Sequence, residues 1–148
     1  MSDLQAVPSR ADIERLQQAI SRLPQAKLET RHHFAGGVYL REMHCPPDCT
    51  IVGKVHKSQH FFVLAVGEMT LTGDGLPPRR IKAPAVIVSS PGVKRAGYSH
   101  TACVCFNIHR TDNVDLDAIE IELIEPDESA LFDARNELKA SQLEGSTP

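Results

Sequence analysis

The stretch Gly53–Glu68, GKVHKSQHFFVLAVGE, places His56 and His60 four residues apart, just ahead of an apolar run that closes on Gly-Glu. Side chains on a strand alternate between faces, so positions 56, 58 and 60 point the same way if the segment is extended. On a straight strand the two histidines would be roughly 13 Å apart, too far to serve one site. A shared site therefore requires a bend or bulge at Lys57-Ser58. HFFVLAV is apolar on both faces, which is the pattern of a strand covered on both sides. The face turned from the lumen then needs a second sheet, a terminal helix or a second copy of the chain over it.

Outward from this stretch, residues 29 to 109 keep one texture. Short runs rich in Val, Ile, Thr and aromatics (VYLREMH, TIVGKVH, EMTLT, RRIKAP, AVIVSS and ACVCFNIH) are broken by Gly and Pro. Many short strands at close spacing predict an antiparallel sandwich or barrel. Ahead of them Ser9 can cap a helix carrying Ile13, Leu16, Ile20 and Leu23 at helical spacing, with Pro24 as its stop. Behind them TDNVDLDAIEIELIEP fits both periods, and its Asp-rich entry and Pro126 exit favour a helix. DESALFDARNELKASQ is a second helical candidate, and LEGSTP reads as a frayed tail. The expected division is a helical segment over 1–28, a barrel over 29–110 and a helical extension over 111–148.

A chain of 148 residues suits one domain with one core. Sixteen basic against nineteen acidic side chains give a net charge of -3, which removes the electrostatic case for nucleic acid or an anionic membrane as partner. No run of eighteen apolar residues and no leader-like N-terminus occurs, so the expected location is cytoplasmic and the expected partner a small molecule. CPPDC and CVC lack the two-residue knuckle spacing of zinc ligands, so Cys45, Cys49, Cys103 and Cys105 read as buried reduced thiols.

The glycine-led pair of histidines followed by VLAVGE resembles the first metal-binding motif of the cupin superfamily. Counted back from Gly67, His60 stands where that family places a glutamate ligand, His56 where it places its second histidine, and Lys54 in place of the first. SSPGVKRAGYSHTACVCFNIH resembles the second motif: Pro91-Gly92 forms the turn, Arg95 falls near the usual histidine, and His100 and Asn107 lie beyond. The chain looks most like small cupin-like proteins of phages and prophages. The resemblance implies an all-β cupin-type jelly-roll barrel, here with an N-terminal helix and a helical C-terminal extension. It also implies a divalent metal ion (Zn, Fe, Ni or Mn) on His56, His60 and, as third ligand, His100.

Three neutral imidazoles would hold such an ion and leave positions open for water or ligand. The simpler alternative is three hydrogen-bonded imidazoles with no metal. Strand parity carried on from His100 sets it beside Tyr98 on the barrel-facing side with Ala102, Val104, Phe106 and Ile108. It turns His109 elsewhere unless a bulge intervenes. Lys94 and Arg95, next to the second turn, are candidates to grip an anionic ligand, and Tyr98 is a candidate general acid. A homodimer is expected from the doubly apolar strand. Three functions fit: a metal-dependent protein acting on a small anion, a non-catalytic binding module, and a metal-free isomerase using His and Tyr.

Overall fold

The computed structural model describes residues 6–73, 75 and 77–139. Among these residues nine strands follow an N-terminal helix, α1 (Arg10–Ile20): β1 (Glu29–Ala35), β2 (Val38–Cys45), β3 (Cys49–Val52), β4 (His60–Val66), β5 (Glu68–Thr72), β6 (Arg79–Lys82), β7 (Ala85–Ser89), β8 (Ala96–Ser99) and β9 (Cys103–Arg110). A second helix, α2 (Leu116–Leu123), comes after them. The strands form two antiparallel sheets, ordered β1-β2-β9-β4-β7 and β3-β8-β5-β6. Between the sheets lies a core of Met43, Phe62, Leu64, Met69, Leu71 and Cys105. All four cysteines are free, three of them buried. No helix among the described residues is long and apolar enough to cross a membrane.

The VGE turn carries the chain from the first sheet to the second. Gly67 has φ +95°, and a Cβ there would collide with the Ala102 carbonyl and with the side chains of Thr101 and Cys103, so only glycine fits.

Cross-strand register explains where the polar end of the barrel lies. Met43, Cys105, Leu64 and Ala85 form one inward row across β2, β9, β4 and β7. The next row is Arg41, Asn107, Phe62 and Ile87. One step further Tyr39 faces His109, and His60 faces Ser89. The interior thus grades from apolar to polar along the strands, and the histidine-bearing end is the polar one.

The helices behave as their caps direct. Ser9 and Asp12 exchange hydrogen bonds in a capping box at 3.1 and 2.8 Å, and Ile13 and Gln17 are the buried residues of α1. The helix ends at Ile20, so Leu23 lies beyond it and is exposed, and the expected stripe is shorter than the sequence suggests. Asp115 caps α2, which buries Ile119 and Leu123 against Tyr39.

The second helix expected in the extension does not form over the described residues 127–139. Asp127 accepts from the Ser129 amide at 3.0 Å, and Asp133 accepts from the Arg135 and Glu137 amides at 2.9 and 3.0 Å. Asn136 takes φ +62°. These Asp and Asn contacts satisfy the backbone locally and compete with a helix. The segment is instead an irregular strap closed by a bridge between Phe132 and Leu138. The tail LEGSTP lies outside the described residues.

Candidate metal centre

The chain bends at Lys57-Ser58, as a shared site requires, and the rings of His56 and His60 stand 4.1 Å apart between centroids. His56 sits ahead of β4, where backbone hydrogen bonds fix the loop: Gly92 N–H to His56 C=O at 2.9 Å, Lys57 N–H to Leu123 C=O at 2.7 Å and Glu125 N–H to Val55 C=O at 2.9 Å. His60 opens β4 and is buried.

The third histidine is His109. Its ring lies 4.8 Å from that of His56 and 4.3 Å from that of His60, and one ring nitrogen from each of the three lies within 4.8 Å of the others. His100 is elsewhere. It follows β8 in the second sheet, with its Nε2 2.6 Å from Thr70 Oγ1 and its ring edge-on to Tyr98. His100 and Tyr98 do share a face, but it is the outer face, where the Tyr98 hydroxyl donates to Asp48 at 2.9 Å. The alternation itself runs through both strands, with Tyr98, His100, Phe106 and Ile108 all outward, and the expectation failed because it put the apolar even-numbered set in the barrel, whereas the odd-numbered set faces inward. Within β9 the buried set is Cys103, Cys105, Asn107 and His109. Two thiols in phase with an Asn and a His were the available signal for His109, since cysteine is among the most buried residue types.

The three imidazoles are held neutral. Desolvation, then the neighbouring His60 and Arg41, push His109 down to about 3. Desolvation likewise puts His56 well below the ordinary imidazole range, with His60, Arg41, His109 and Arg95 adding to it. His60 is lowered by desolvation against an opposing hydrogen bond from its ring to the Ser58 carbonyl at 3.2 Å. Neutral imidazole is the form that ligates metal. The Nδ1 atoms of His56 and His109 are buried without a hydrogen-bond partner, as are Arg41 Nε and Ser89 Oγ. A set of three neutral nitrogens, two of them with unpartnered ring atoms, fits a divalent ion of borderline softness.

A cavity of about 140 Å³ opens in front of the histidines, lined by His56, His60, Arg41, Arg95, Asn107 and Ser89 at its polar end. Phe62, Met69, Leu71 and Leu131 are among its apolar walls. Behind the cluster a recess of about 20 Å³ reaches Tyr39 and α2. Arg95 lines the cavity with its guanidinium 5.6 Å above the Phe62 ring. Lys94 points away, buried and paired with Asp127 at 3.2 Å. Lys54 pairs with Glu120 of α2 at 2.6 Å and donates to the Asp133 carbonyl at 3.2 Å, so it ties the helix and the strap to the barrel rim. Arg41, Ser89 and His109 are the site residues that sequence reasoning missed, whereas Asn107 was named in the second motif.

No protein-family model matches the chain, and no curated protein matches it in sequence. Solved structures do. The lyase DddQ of Ruegeria pomeroyi, a DMSP lyase, aligns at TM-score 0.51 and 14% identity over 60% of this chain and 49% of the lyase. A predicted oxalate decarboxylase of Thermotoga maritima aligns at TM-score 0.50 and 16% identity over 59% of this chain and 83% of that one. The cupin domain of Schizosaccharomyces pombe Cnp3 aligns at 0.49 and 17% over 60% and 67%. The fold is a cupin barrel. At these identities the likeness concerns the barrel alone, and this chain spans about half the length of the lyase. Within the cupin barrel, a histidine on the loop before β4, one at the start of β4 and one near the end of β9 converge on one point.

Proposed function

We propose that this cupin barrel holds one divalent metal ion on His56, His60 and His109 and receives a small anionic molecule in the cavity before it. One observation carries this reading: of five buried polar side-chain atoms without partners among the described residues, four, Arg41 Nε, His56 Nδ1, Ser89 Oγ and His109 Nδ1, lie together at the polar end of the barrel, Thr72 Oγ1 being the fifth. Unpaired buried polar groups are costly, and a cluster of them marks a place built for something else to satisfy. No acidic side chain is among the residues lining the cavity, whereas two guanidinium groups are. A bound ion adds positive charge, so the complementary ligand is an anion. When bound, the ion would supply Lewis acidity to that ligand or to water. The protein would orient the ligand and exclude solvent under α1 and the strap, whose Gln17, Leu131 and Phe132 line the cavity.

The test is plasma mass spectrometry on protein purified without tag or chelator. About one ion per chain supports the centre and its identity selects hydrolytic or redox assays. No ion after incubation with Zn, Fe, Ni and Mn rejects it in favour of a binding module that uses the arginines alone. The metal-free isomerase loses its acid, because Tyr98 does not line the cavity.

We also propose that a second copy covers the outer face of the five-stranded sheet. Outward residues form apolar rows: Leu40, Ile108, Phe61 and Val88 in one, Phe106, Val63 and Val86 in the next. Phe61, Val86 and Val88 are 49%, 66% and 55% exposed. These rows cover β9, β4 and β7, with Leu40 of β2 at their margin, and contiguous exposed apolar side chains of this kind mark an interaction site. Arg31, His33, Glu42 and His44 border it on β1 and β2 as a polar rim, with Arg31, His33 and His44 all in contact with the Glu42 carboxylate. A two-fold axis through the patch would set apolar rows on apolar rows. Light scattering after size-exclusion chromatography should give a dimer mass for the protein and a monomer mass for Val86→Glu. A monomeric parent protein rejects the interface.

A further inference from the structure

The ligand can be narrowed from the side chain that faces it. We infer that Arg41 is the anchor for a carboxylate group, and that the occupant of the cavity is a short organic carboxylate of about six non-hydrogen atoms. The inference deepens the proposed function and rests on the same cavity. Arg41 stands on β2 directly opposite Asn107 of β9, which is itself opposite Phe62 of β4. It lines both the main cavity and the recess behind the histidines. Its Nε is buried with no hydrogen-bond partner, and among the described residues no carboxylate forms a salt bridge with it. A guanidinium keeps its charge at every accessible pH, so it cannot relieve burial by losing a proton as the neighbouring imidazoles do. Its unused Nε–H needs an acceptor, and an anion is the acceptor that also balances the charge.

The shape of the fork and the size of the cavity choose among anions. Nε–H and one terminal N–H of a guanidinium lie side by side and match the two oxygens of a planar carboxylate. Asn107 and Ser89, both buried, extend the polar end, and the Ser89 hydroxyl is without a partner. Beyond them the walls are aliphatic and aromatic: Met43, Phe62, Met69, Leu71 and Leu131. At about 140 Å³ the cavity approaches the roughly 150 Å³ that holds a benzene molecule in an engineered apolar core. A tetrahedral inorganic anion would leave those apolar walls uncovered. A short carboxylate covers them with its hydrocarbon part while its charged end reaches Arg41.

Calorimetric titration with butyrate, butyramide and inorganic phosphate, with metal content measured on the same samples, tests this. Butyrate should bind at least tenfold more tightly than butyramide or phosphate. Arg41→Gln should weaken butyrate at least tenfold with metal content and unfolding midpoint unchanged, while Arg41→Lys keeps the charge, loses the fork and falls between. Equal butyrate binding by the parent protein and Arg41→Gln, no butyrate binding by the parent protein, or preference for phosphate overturns the inference. Because metal is read separately, a metal-free chain that binds butyrate through Arg41 keeps the anchor and rejects the metal centre. A metal-loaded chain indifferent to Arg41 does the reverse.

Discussion

His109 and His100 show how much one residue's position depends on the strand that carries it. Both lie within the same short motif-like run, yet one is buried beside two other imidazoles and the other is on the outer face against Thr70. If the proposed centre holds, removing the imidazole of His109 should take away one of its three ligands, whereas removing that of His100 should leave metal content untouched. His109→Ala is expected to reduce bound metal at least tenfold under limiting ion and His100→Ala to leave it at the parental ratio, both read by plasma mass spectrometry. The reverse order would reassign the third ligand. Stability follows the same logic at Gly67, where positive φ and a crowded Cβ position exclude any larger residue.

At the scale of elements, the strap between α2 and the tail is held by polar contacts rather than by regular structure. Asp127 is its pivot. It pairs with the buried Lys94 at 3.2 Å, accepts from Gln17 of α1 at 3.3 Å and binds its own Ser129 hydroxyl at 2.7 Å. Burial alone would raise its carboxyl, but these hydrogen bonds and the Lys94 charge prevail and hold it well below the usual carboxylate range. Asp127→Ala leaves the Lys94 ammonium buried without its partner, and such a loss costs about 3–5 kcal/mol. Chemical denaturation should register a drop of that order. Limited proteolysis should cut the strap near residues 127–133 before the barrel strands. A change below about 0.5 kcal/mol would mean that Lys94 finds another acceptor.

For the whole molecule, the neutral histidine cluster ties stability to pH. In the metal-free protein the folded chain binds fewer protons than the unfolded chain, whose histidines titrate near the ordinary value of about 6.5. Stability is thus greatest above that value and declines as pH falls through it, down to about 3 for His109. The slope is about 1.4 kcal/mol per pH unit for each histidine protonated only in the unfolded chain. After chelation, the denaturation midpoint at pH 5.5 should lie below that at pH 7.5. His109→Ala should flatten the difference, and equal midpoints in the parent protein would show that the cluster is hydrated and freely protonated.

The amino-acid sequence by itself determined the elements. Alternating Val, Ile and aromatic runs made the strands, Ser9 and Asp115 set where the helices begin, and glycine at 67 made the turn between sheets, because each is governed by neighbours within a few residues. The bend at Lys57-Ser58 was also legible, as a condition that His56 and His60 could meet only there. Tertiary structure decided what no local period records. Packing of one sheet on the other decided which of the two alternating sets on β9 faces inward, the odd-numbered one with His109 rather than the apolar even-numbered one in phase with His100, and pairing β2 with β9 brought Arg41 to Asn107 from 66 positions away. Asp127 and Asp133 turned a helix-like run into a strap by bonding backbone amides that a helix would have used. A binding site assembled across strands is fixed by register and sheet membership, and these are settled by burial of the whole core rather than by any segment within it.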